Sequence, residues 1–590
     1  GAWAIESPYI RALLWSYAIS VTAAFLLLAY YFITSDFSLY YVWRFSSTEL
    51  PWVYRLTAVW TDVPGALLLF VWVAALAALH LHERGGSDGK KISVIVMSVG
   101  MLFVPLVLQD SPFKNFNEVH PGEDIPGDGM GLPPLLVNIW AVFHPPGIFA
   151  GYAFLTVAFA SSLAHMLRGT PGWDRFSSGY SRLAWLVLGG GIAAGCVWSY
   201  EAWNWYWTWD PAFNSSVMVW LLLTAYLHAS SRYRINEYPV VTPALGAFSF
   251  VLALYSMYVI HGGGFNSTHS FGEGSSRGLL DISLLAGTLS LISIAILARR
   301  TWAGAGRSRL FSLSIALMSA LAFLLLWGLA APGFVSALSI SPALYIDWGL
   351  PVTIILISVM GLCLARNRRI AAVLFAAVMV LFIIEAPAGG TYSNVIAGLL
   401  AASAIVAALG LVRDATAGGR GIAGRIAPDI IHLGTVILLA GVMMSTYAVS
   451  ETVLFRSFGD TKEVGGYEIQ LADLAYPLQH GHTGAAFSKI GIYNIYKNGE
   501  RIGTGEASFT AYSSVGAREE YVTRPLIYRS LLYDVYITYQ GIGTTEQVFI
   551  SVANVKVIPG MSFIWIGSGL LLIGMLILVL RNAVSFSSLS

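Results

Sequence analysis

Runs of about 20 apolar residues, the length a helix needs to cross a bilayer, recur along almost the whole of this sequence. About fourteen of them lie near 10–31, 63–82, 91–109, 143–166, 182–200, 212–230, 239–260, 279–298, 310–331, 348–365, 370–386, 394–412, 427–449 and 559–580. Inside lipid a backbone has to pair its own polar groups, so long uninterrupted runs like these fold as helices. The composition leaves no aqueous alternative. Hydrophobic residues make up 56% and charged ones 11%, with a mean hydropathy of +0.68, where a soluble domain carries about 25% charge. A net charge of +1 with no long basic run points to no nucleic-acid partner, and lipid is the expected surroundings. Cys196 and Cys363 stand far apart in apolar runs and form no C-x-x-C pattern, so they read as small core residues. The chain starts at Gly1 with no signal-peptide pattern, so its start is expected to be processed or to lack a first segment.

Lys and Arg sort the loops into two sets. One set of short loops holds Arg84, Lys90, Lys91, Arg168, Arg175, Arg182, Arg232, Arg234, Arg299, Arg300, Arg307, Arg309, Arg366, Arg368, Arg369, Arg413, Arg420 and Arg425. The alternate short loops hold only Arg44, Arg55, Lys114 and Arg277. The first set is expected in the cytoplasm, which turns the loops at 110–134, 203–211 and 261–277 outward. Residues 450–556 are polar and carry alternating stretches such as Tyr493-Asn494-Ile495-Tyr496, with Asn498-Gly499 as a hairpin turn. The expected architecture is an all-α polytopic protein of the cytoplasmic (inner) membrane, with about 14 transmembrane helices and a small β-rich extracytoplasmic domain. Its parts are a helical bundle over 1–449, the β domain over 450–556, and a last helix with a cytoplasmic tail over 557–590. No internal repeat or low-complexity tract stands out.

The most unusual stretch is Trp198-Ser199-Tyr200-Glu201-Ala202-Trp203-Asn204-Trp205-Tyr206-Trp207-Thr208-Trp209-Asp210-Pro211. Trp favours the headgroup region, so an interfacial belt is the plain reading. A belt spreads its rings over many helix ends, whereas here Trp198, Trp203, Trp205, Trp207 and Trp209 fall within twelve residues. Such density suits an aromatic shelf for a large flat apolar ligand. Asp210 and Pro211 suit the N-cap and first position of the next helix.

The eleven histidines separate by depth. His228 lies four residues before Arg232, and His432 lies seven after Arg425 in a span running the other way. At about 1.5 Å per residue the two share one level in the cytoplasmic half. Two imidazoles at matched depth favour a shared ligand over unrelated cross-helix hydrogen bonds, and neutral imidazole suits haem iron. His144 opens a span as His144-Pro145-Pro146, and His269 lies in an outer loop, so both fall at the outer surface near the tryptophans. His261 competes with His269 for that outer role. His80, His82 and His165 end spans on the cytoplasmic side, where solvated imidazoles are expected. His120 sits in an outer loop, and His480 and His482 are expected on a loop of the β domain.

At these residues the chain resembles the haem-handling family named for its WWD motif, and within it the cytochrome c maturation F (CcmF) proteins. The resemblance runs over most of the chain. It rests on Asp36-Phe37 through Leu50-Pro51-Trp52-Val53-Tyr54-Arg55-Leu56 with Ala58-Val59-Trp60, and on Leu132-Pro133-Pro134-Leu135-Leu136 with His144-Pro145-Pro146 and Gly151-Tyr152. It continues with Trp207-Thr208-Trp209-Asp210-Pro211 and Asn214, then Leu227-His228, Ser267-Thr268-His269-Ser270-Phe271, and His432-Leu433-Gly434. Three departures stand out. Asn204-Trp205 replaces a usual Gly-Gly, Phe213 replaces a usual Glu, and the family tends to have one more N-terminal span.

The resemblance implies roles. His228 and His432 would ligate a permanent b-type haem. His144 and His269 would be the catalytic axial ligands of a second haem in transit. Trp198, Trp203, Trp205, Trp207, Trp209, Asp210 and Asn214 would hold that haem's face. The implied activity is a haem lyase, joining haem vinyl groups to the thiols of an apocytochrome c C-x-x-C-H site. A haem chaperone (CcmE) would deliver the haem and a CcmH-type subunit would present the apocytochrome. Tyr521, Arg524 and Arg529 of the outer domain are candidate docking residues. Competing readings are a haem-delivery protein without ligation, a secondary transporter, and an assembly scaffold. The few charges within spans and the missing repeat speak against the transporter.

Overall fold

The computed structural model describes residues 7–233, 236–261, 277–300, 308–334, 342–365, 367–385, 391–417, 421–475, 485–512, 520–541 and 551–587. Long helices dominate them: α1 (Pro8–Thr34), α2 (Val63–Arg84), α3 (Gly86–Met101), α4 (His144–Arg168), α5 (Trp173–Trp203), α6 (Pro211–Tyr233), α7 (Val241–His261), α8 (Arg277–Arg300), α9 (Arg309–Phe334), α10 (Pro342–Leu364), α11 (Arg368–Glu385), α12 (Thr391–Thr416), α13 (Ile422–Ser445) and α14 (Met561–Ser587). Among the described residues 13 helices are long and apolar enough to span a membrane. The fourteenth is α11, 18 residues long with Arg368, Arg369 and Glu385 at its ends. The chain is thus a helical, multi-span membrane protein with a small β domain near its C-terminus, as the apolar runs predict.

Local chemistry sets the helix starts. Asp62 accepts the Val63 N–H at 2.7 Å, with Pro64 in the first turn of α2. Asp210 Oδ1 accepts the Ala212 N–H at 2.8 Å and Pro211 opens α6, the expected cap. Pro145 and Pro146 occupy the first turn of α4, where no N–H is missed.

The bundle has a centre and a rim. The most apolar stretch of α4 is 83% buried, against 22% for α10 and 28% for α8 and α9. α4 packs on α2, α5 and α7, and α6 packs on α7 and α9. Glycines let two helix pairs meet backbone to backbone. A Cβ on Gly147 of α4 would lie 2.7 Å from Gly191 Cα of α5. A Cβ on Gly434 of α13 would lie 2.8 Å from Gly567 O of α14, and one on Gly441 2.7 Å from Ile564 N. Close approach through small residues is how helices gain packing in lipid, where no hydrophobic drive separates them from acyl chains.

Among the described residues between α13 and α14 lie nine strands: β1 (Val449–Phe455), β2 (Thr461–Val464), β3 (Tyr467–Ala475), β4 (Ala485–Lys497), β5 (Glu500–Tyr512), β6 (Glu520–Arg524), β7 (Leu526–Arg529), β8 (Tyr533–Gly541) and β9 (Ser551–Pro559). They form two antiparallel sheets, β1-β9-β8-β7 and β2-β3-β4-β5-β6. Alternate residues such as Val453, Phe455, Ile469, Leu471, Val535, Ile537, Val555 and Val557 fill one core between them. The β4–β5 hairpin turns on Asn498 (φ 51°) and Gly499 (φ 79°), both left-handed as a tight two-residue turn requires.

Candidate functional site

Two imidazoles meet inside the bundle. His228 of α6 and His432 of α13 come from segments about 200 residues apart, yet their ring centres are 6.2 Å apart and nearly perpendicular at 86°. Each ring is fixed by its own helix. His228 Nδ1 lies 2.8 Å from the Thr224 carbonyl and His432 Nδ1 2.6 Å from the Pro428 carbonyl. A carbonyl only accepts, so Nδ1 carries the proton in both and Nε2 keeps its lone pair. Two nitrogens bound to one metal at about 2.0 Å each put their ring centres about 6 Å apart. The donor set therefore fits a bis-imidazole iron. Asp429, buried one turn before His432 and facing Gly410 of α12, went unremarked in the sequence; its i,i+3 spacing to His432 is the signal that marks it.

A second imidazole site lies at the opposite end of the bundle. His144, at the start of α4, donates from Nδ1 to the Gly191 carbonyl of α5 at 2.8 Å. Gly195, one turn on, makes room for the ring: a Cβ there would sit 2.5 Å from His144 Nδ1. His144 lines a cavity of about 100 Å³ with Trp60, Asp62, Trp198, Phe213 and His261. Burial pushes the Asp62 carboxyl above the usual carboxylate range. Trp198 is buried, donates to the Leu135 carbonyl at 3.1 Å, and sits 5.9 Å from the His144 ring. His261 ends α7, and its ring stacks on Phe149 at 5.5 Å.

The tryptophans of the segment rest on neighbouring aromatic rings, and Trp207 meets Trp209 edge to face at 6.4 Å. Trp198, beside His144, packs 5.7 Å from Trp203. Trp207 packs on Phe213 at 5.4 Å, and Trp209 lies flat on Tyr345 of α10 at 4.7 Å and 4°. Trp205 is exposed. Asp210 is spent on the α6 cap, and Asn214 is buried with Oδ1 unpaired among the described residues. Asn204 holds the left-handed C-cap of α5 at φ 66°, a place where Asn stands in for Gly at little cost. Phe213 makes the wall beside His144 apolar.

The remaining histidines correct one expectation. His82 is buried and His165 is only partly exposed. His82 is 4% exposed beside Ser93, and His165 stacks on Trp173 at 4.8 Å beneath Tyr233. Packing of α3 and α5 over the span ends covers what position alone leaves in water. His80 does remain exposed, 2.6 Å from the Tyr180 hydroxyl. His120 stacks on Phe116 at 4.9 Å in the outer loop. His269, His480 and His482 lie outside the described residues.

Three contacts tie the aromatic segment to the β domain and the last helices. The Tyr200 hydroxyl donates to Asp534 at 3.1 Å, Arg529 pairs with Glu201 at 2.8 Å, and the Tyr206 and Ser445 hydroxyls meet at 2.9 Å. The domain is therefore seated on the helix that carries the tryptophans.

The chain is similar to known proteins of cytochrome c assembly. The model of the "Cytochrome C assembly protein" family matches residues 60–262, which contain His144, the aromatic segment and His228. The "Cytochrome c-type biogenesis protein CcmF" of Pseudomonas aeruginosa is 27% identical over 97% of this chain and 92% of its own length. The protein of the same name from Haemophilus influenzae is 35% identical, but over 45% of this chain and 42% of its own length. A solved structure titled "Cytochrome c Heme Lyase CcmF" superposes with a TM-score of 0.78 at 20% identity, covering 96% of this chain and 91% of that one, and so shares the fold. Over residues 60–262 the chain is similar to the cytochrome c assembly proteins, and along nearly its whole length it is similar to the CcmF protein of Pseudomonas aeruginosa.

Proposed function

We propose that this chain is a haem lyase that joins haem to apocytochrome c at the outer face of the cytoplasmic membrane. The observation that carries the reading is a repeated device. His228, His432 and His144 each commit Nδ1 to a backbone carbonyl, which leaves Nε2 unprotonated, the form of imidazole that ligates iron. The inner pair would hold a resident b-type haem, which supplies one-electron transfer when bound. His144, with His269 from the outer loop as the family resemblance implies, would grip the substrate haem by its iron.

The bond-forming step needs no nucleophile from this chain. Each apocytochrome thiol adds across a vinyl group of the haem. Sulfur bonds to the α-carbon, the thiol hydrogen ends on the β-carbon, and nothing is oxidised or reduced. The chain's work is placement, which can supply about 7–11 kcal/mol of a barrier. His144 fixes the iron, Trp198, backed by Trp203, walls one side, and Phe213 keeps the other dry. A cavity of about 100 Å³ admits an edge of the macrocycle and leaves the rest at the mouth for the peptide. A haem chaperone (CcmE) and a CcmH-type subunit would supply the two reactants there. The loop charges support a cytoplasmic location for the basic ends and an outer one for this cavity.

Purified protein carrying His228→Ala or His432→Ala is expected to lose its reduced b-type absorbance. His144→Ala is expected to keep that absorbance and to abolish holocytochrome c yield in cells that depend on this chain. Full absorbance in both inner variants would refute the membrane-haem reading. Haem bound normally with free, unligated apocytochrome in wild-type cells would favour haem delivery over ligation.

A further inference from the structure

We propose that the tip of the β7–β8 hairpin, Leu531-Leu532-Tyr533, enters the lipid leaflet on its side of the membrane and anchors the β domain there. This anchor is independent of the haem reading above.

The tip has an unusual composition for a hairpin. Gly, Asn, Asp and Ser dominate such turns, since they accept the tight backbone and suit water. Here Ser530 and Tyr533 close the turn, the Ser530 N–H donating to the Tyr533 carbonyl at 3.1 Å, and two leucines fill its corner. Leu531 is 65% exposed and Leu532 52%, and Tyr533 is exposed beside them.

The hydrogen bonds of the same turn fix its height. The Leu532 carbonyl accepts the Gly560 N–H at 2.9 Å, and the Ser530 carbonyl accepts the Ser562 hydroxyl at 2.8 Å. Gly560 and Ser562 flank Met561, the first residue of the apolar span of α14. The leucines therefore sit where a span meets the headgroups, the level at which apolar side chains dip into lipid and tyrosine is enriched. Lys497 adds a cation at the same place: its ammonium lies 5.6 Å from the Tyr533 ring and donates to the Tyr467 hydroxyl at 3.0 Å. Such a cation suits a lipid phosphate. Two leucines and a tyrosine offer well under the roughly 1,000 Å² that a specific protein interface buries, whereas lipid is present at this level because α14 crosses it.

The anchor bears on the seat of the domain. Arg529 and Asp534, on either side of the turn, are the residues that bind Glu201 and Tyr200 of α5. A tip held in lipid keeps both in register with that helix.

The test places a nitroxide on the full chain in lipid nanodiscs, one site at a time, through Leu531→Cys, Ser457→Cys and Ile573→Cys. Ser457 is exposed beyond Phe455, at the end of β1 away from α14, and Ile573 is exposed midway along α14. Cys196 and Cys363 lie within α5 and α10, and the unsubstituted chain gives their blank. Electron paramagnetic resonance then compares collisions with oxygen, which gathers in lipid, and with a water-soluble nickel chelate. The oxygen-to-nickel ratio at 531 is expected to exceed that at 457 by about fivefold or more and to approach that at 573. A ratio equal to that at 457 overturns the proposal, as does a label shielded from both reagents, which would mean that protein covers the tip. Leu531→Ser with Leu532→Ser checks the consequence without a label. Amide exchange over β7 and β8 in nanodiscs is expected to quicken by about threefold or more, and an unchanged rate would overturn the anchoring role.

Discussion

At the residue scale, the proposed function depends on which ring nitrogen each histidine commits to a carbonyl. A backbone carbonyl one helical turn back decides this for His228 and His432, and a carbonyl on a neighbouring helix decides it for His144. The His144 arrangement is the more fragile of the two, because it depends on Gly195 having no side chain. Gly195→Ala is expected to push the ring off the Gly191 carbonyl, at an overpacking cost of about 1–3 kcal/mol. Holocytochrome c yield should then fall at least tenfold while the inner haem spectrum is kept; unchanged yield would show that the ring position is not critical. Depth along the spans, counted from Arg232 and Arg425, was enough to pair His228 with His432. No count along the sequence could pair His144 with His261, because helix packing alone decides which span ends meet.

At the element scale, α13 is positioned by α14. The contact through Gly434, Gly441 and Gly567 leaves no gap between the two backbones, so His432 cannot be carried toward or away from α6 without moving α14 as well. Gly434→Leu is expected to separate the pair and loosen the imidazole couple. Loss of b-type absorbance with the protein still folded and monodisperse in detergent would support this, and full absorbance would count against it. The aromatic segment shows the opposite behaviour. Asn204 turns the chain sharply and Pro211 restarts it, so its rings are supported one by one, Trp203 by Trp198 and Trp209 by Tyr345. Trp209→Ala removes the stack on Tyr345 and is expected to cost about 3–5 kcal/mol at most, as for a large aromatic truncation, read as a fall in the thermal midpoint.

At the scale of the whole molecule, the β domain and the bundle are joined where α5 ends. Asp534 is 1% exposed and accepts from Tyr200, and burial raises its carboxyl to about 6. The sign follows from linkage. A carboxyl whose folded value is raised binds its proton more tightly when folded, so its contribution is full below about pH 4 and is lost as pH rises through about 6. The seat of the domain is therefore expected to weaken between these values. Thermal midpoints of wild type should decline over that window, and Asp534→Asn, which keeps an acceptor and cannot ionise, should flatten the curve. A parallel decline in the variant would assign the effect to other groups. Tyr200→Phe should cost about 1–3 kcal/mol by removing one of the buried carboxyl's hydrogen bonds.

The sequence by itself determined the spans, the side on which the basic loops gather, the β domain and its Asn498-Gly499 turn, and the level of the inner histidines. Each of these follows from periodicity, length or local turn chemistry, which act within a few tens of residues. Only the tertiary structure decided that Tyr200 meets Asp534 across 334 residues, that His82 is covered and His165 partly so, and that His261 shares the cavity of His144. Lipid forces each span into a helix but is indifferent to which helix neighbours which. That choice is made by glycine-to-backbone contacts and buried hydrogen bonds between segments far apart in the chain.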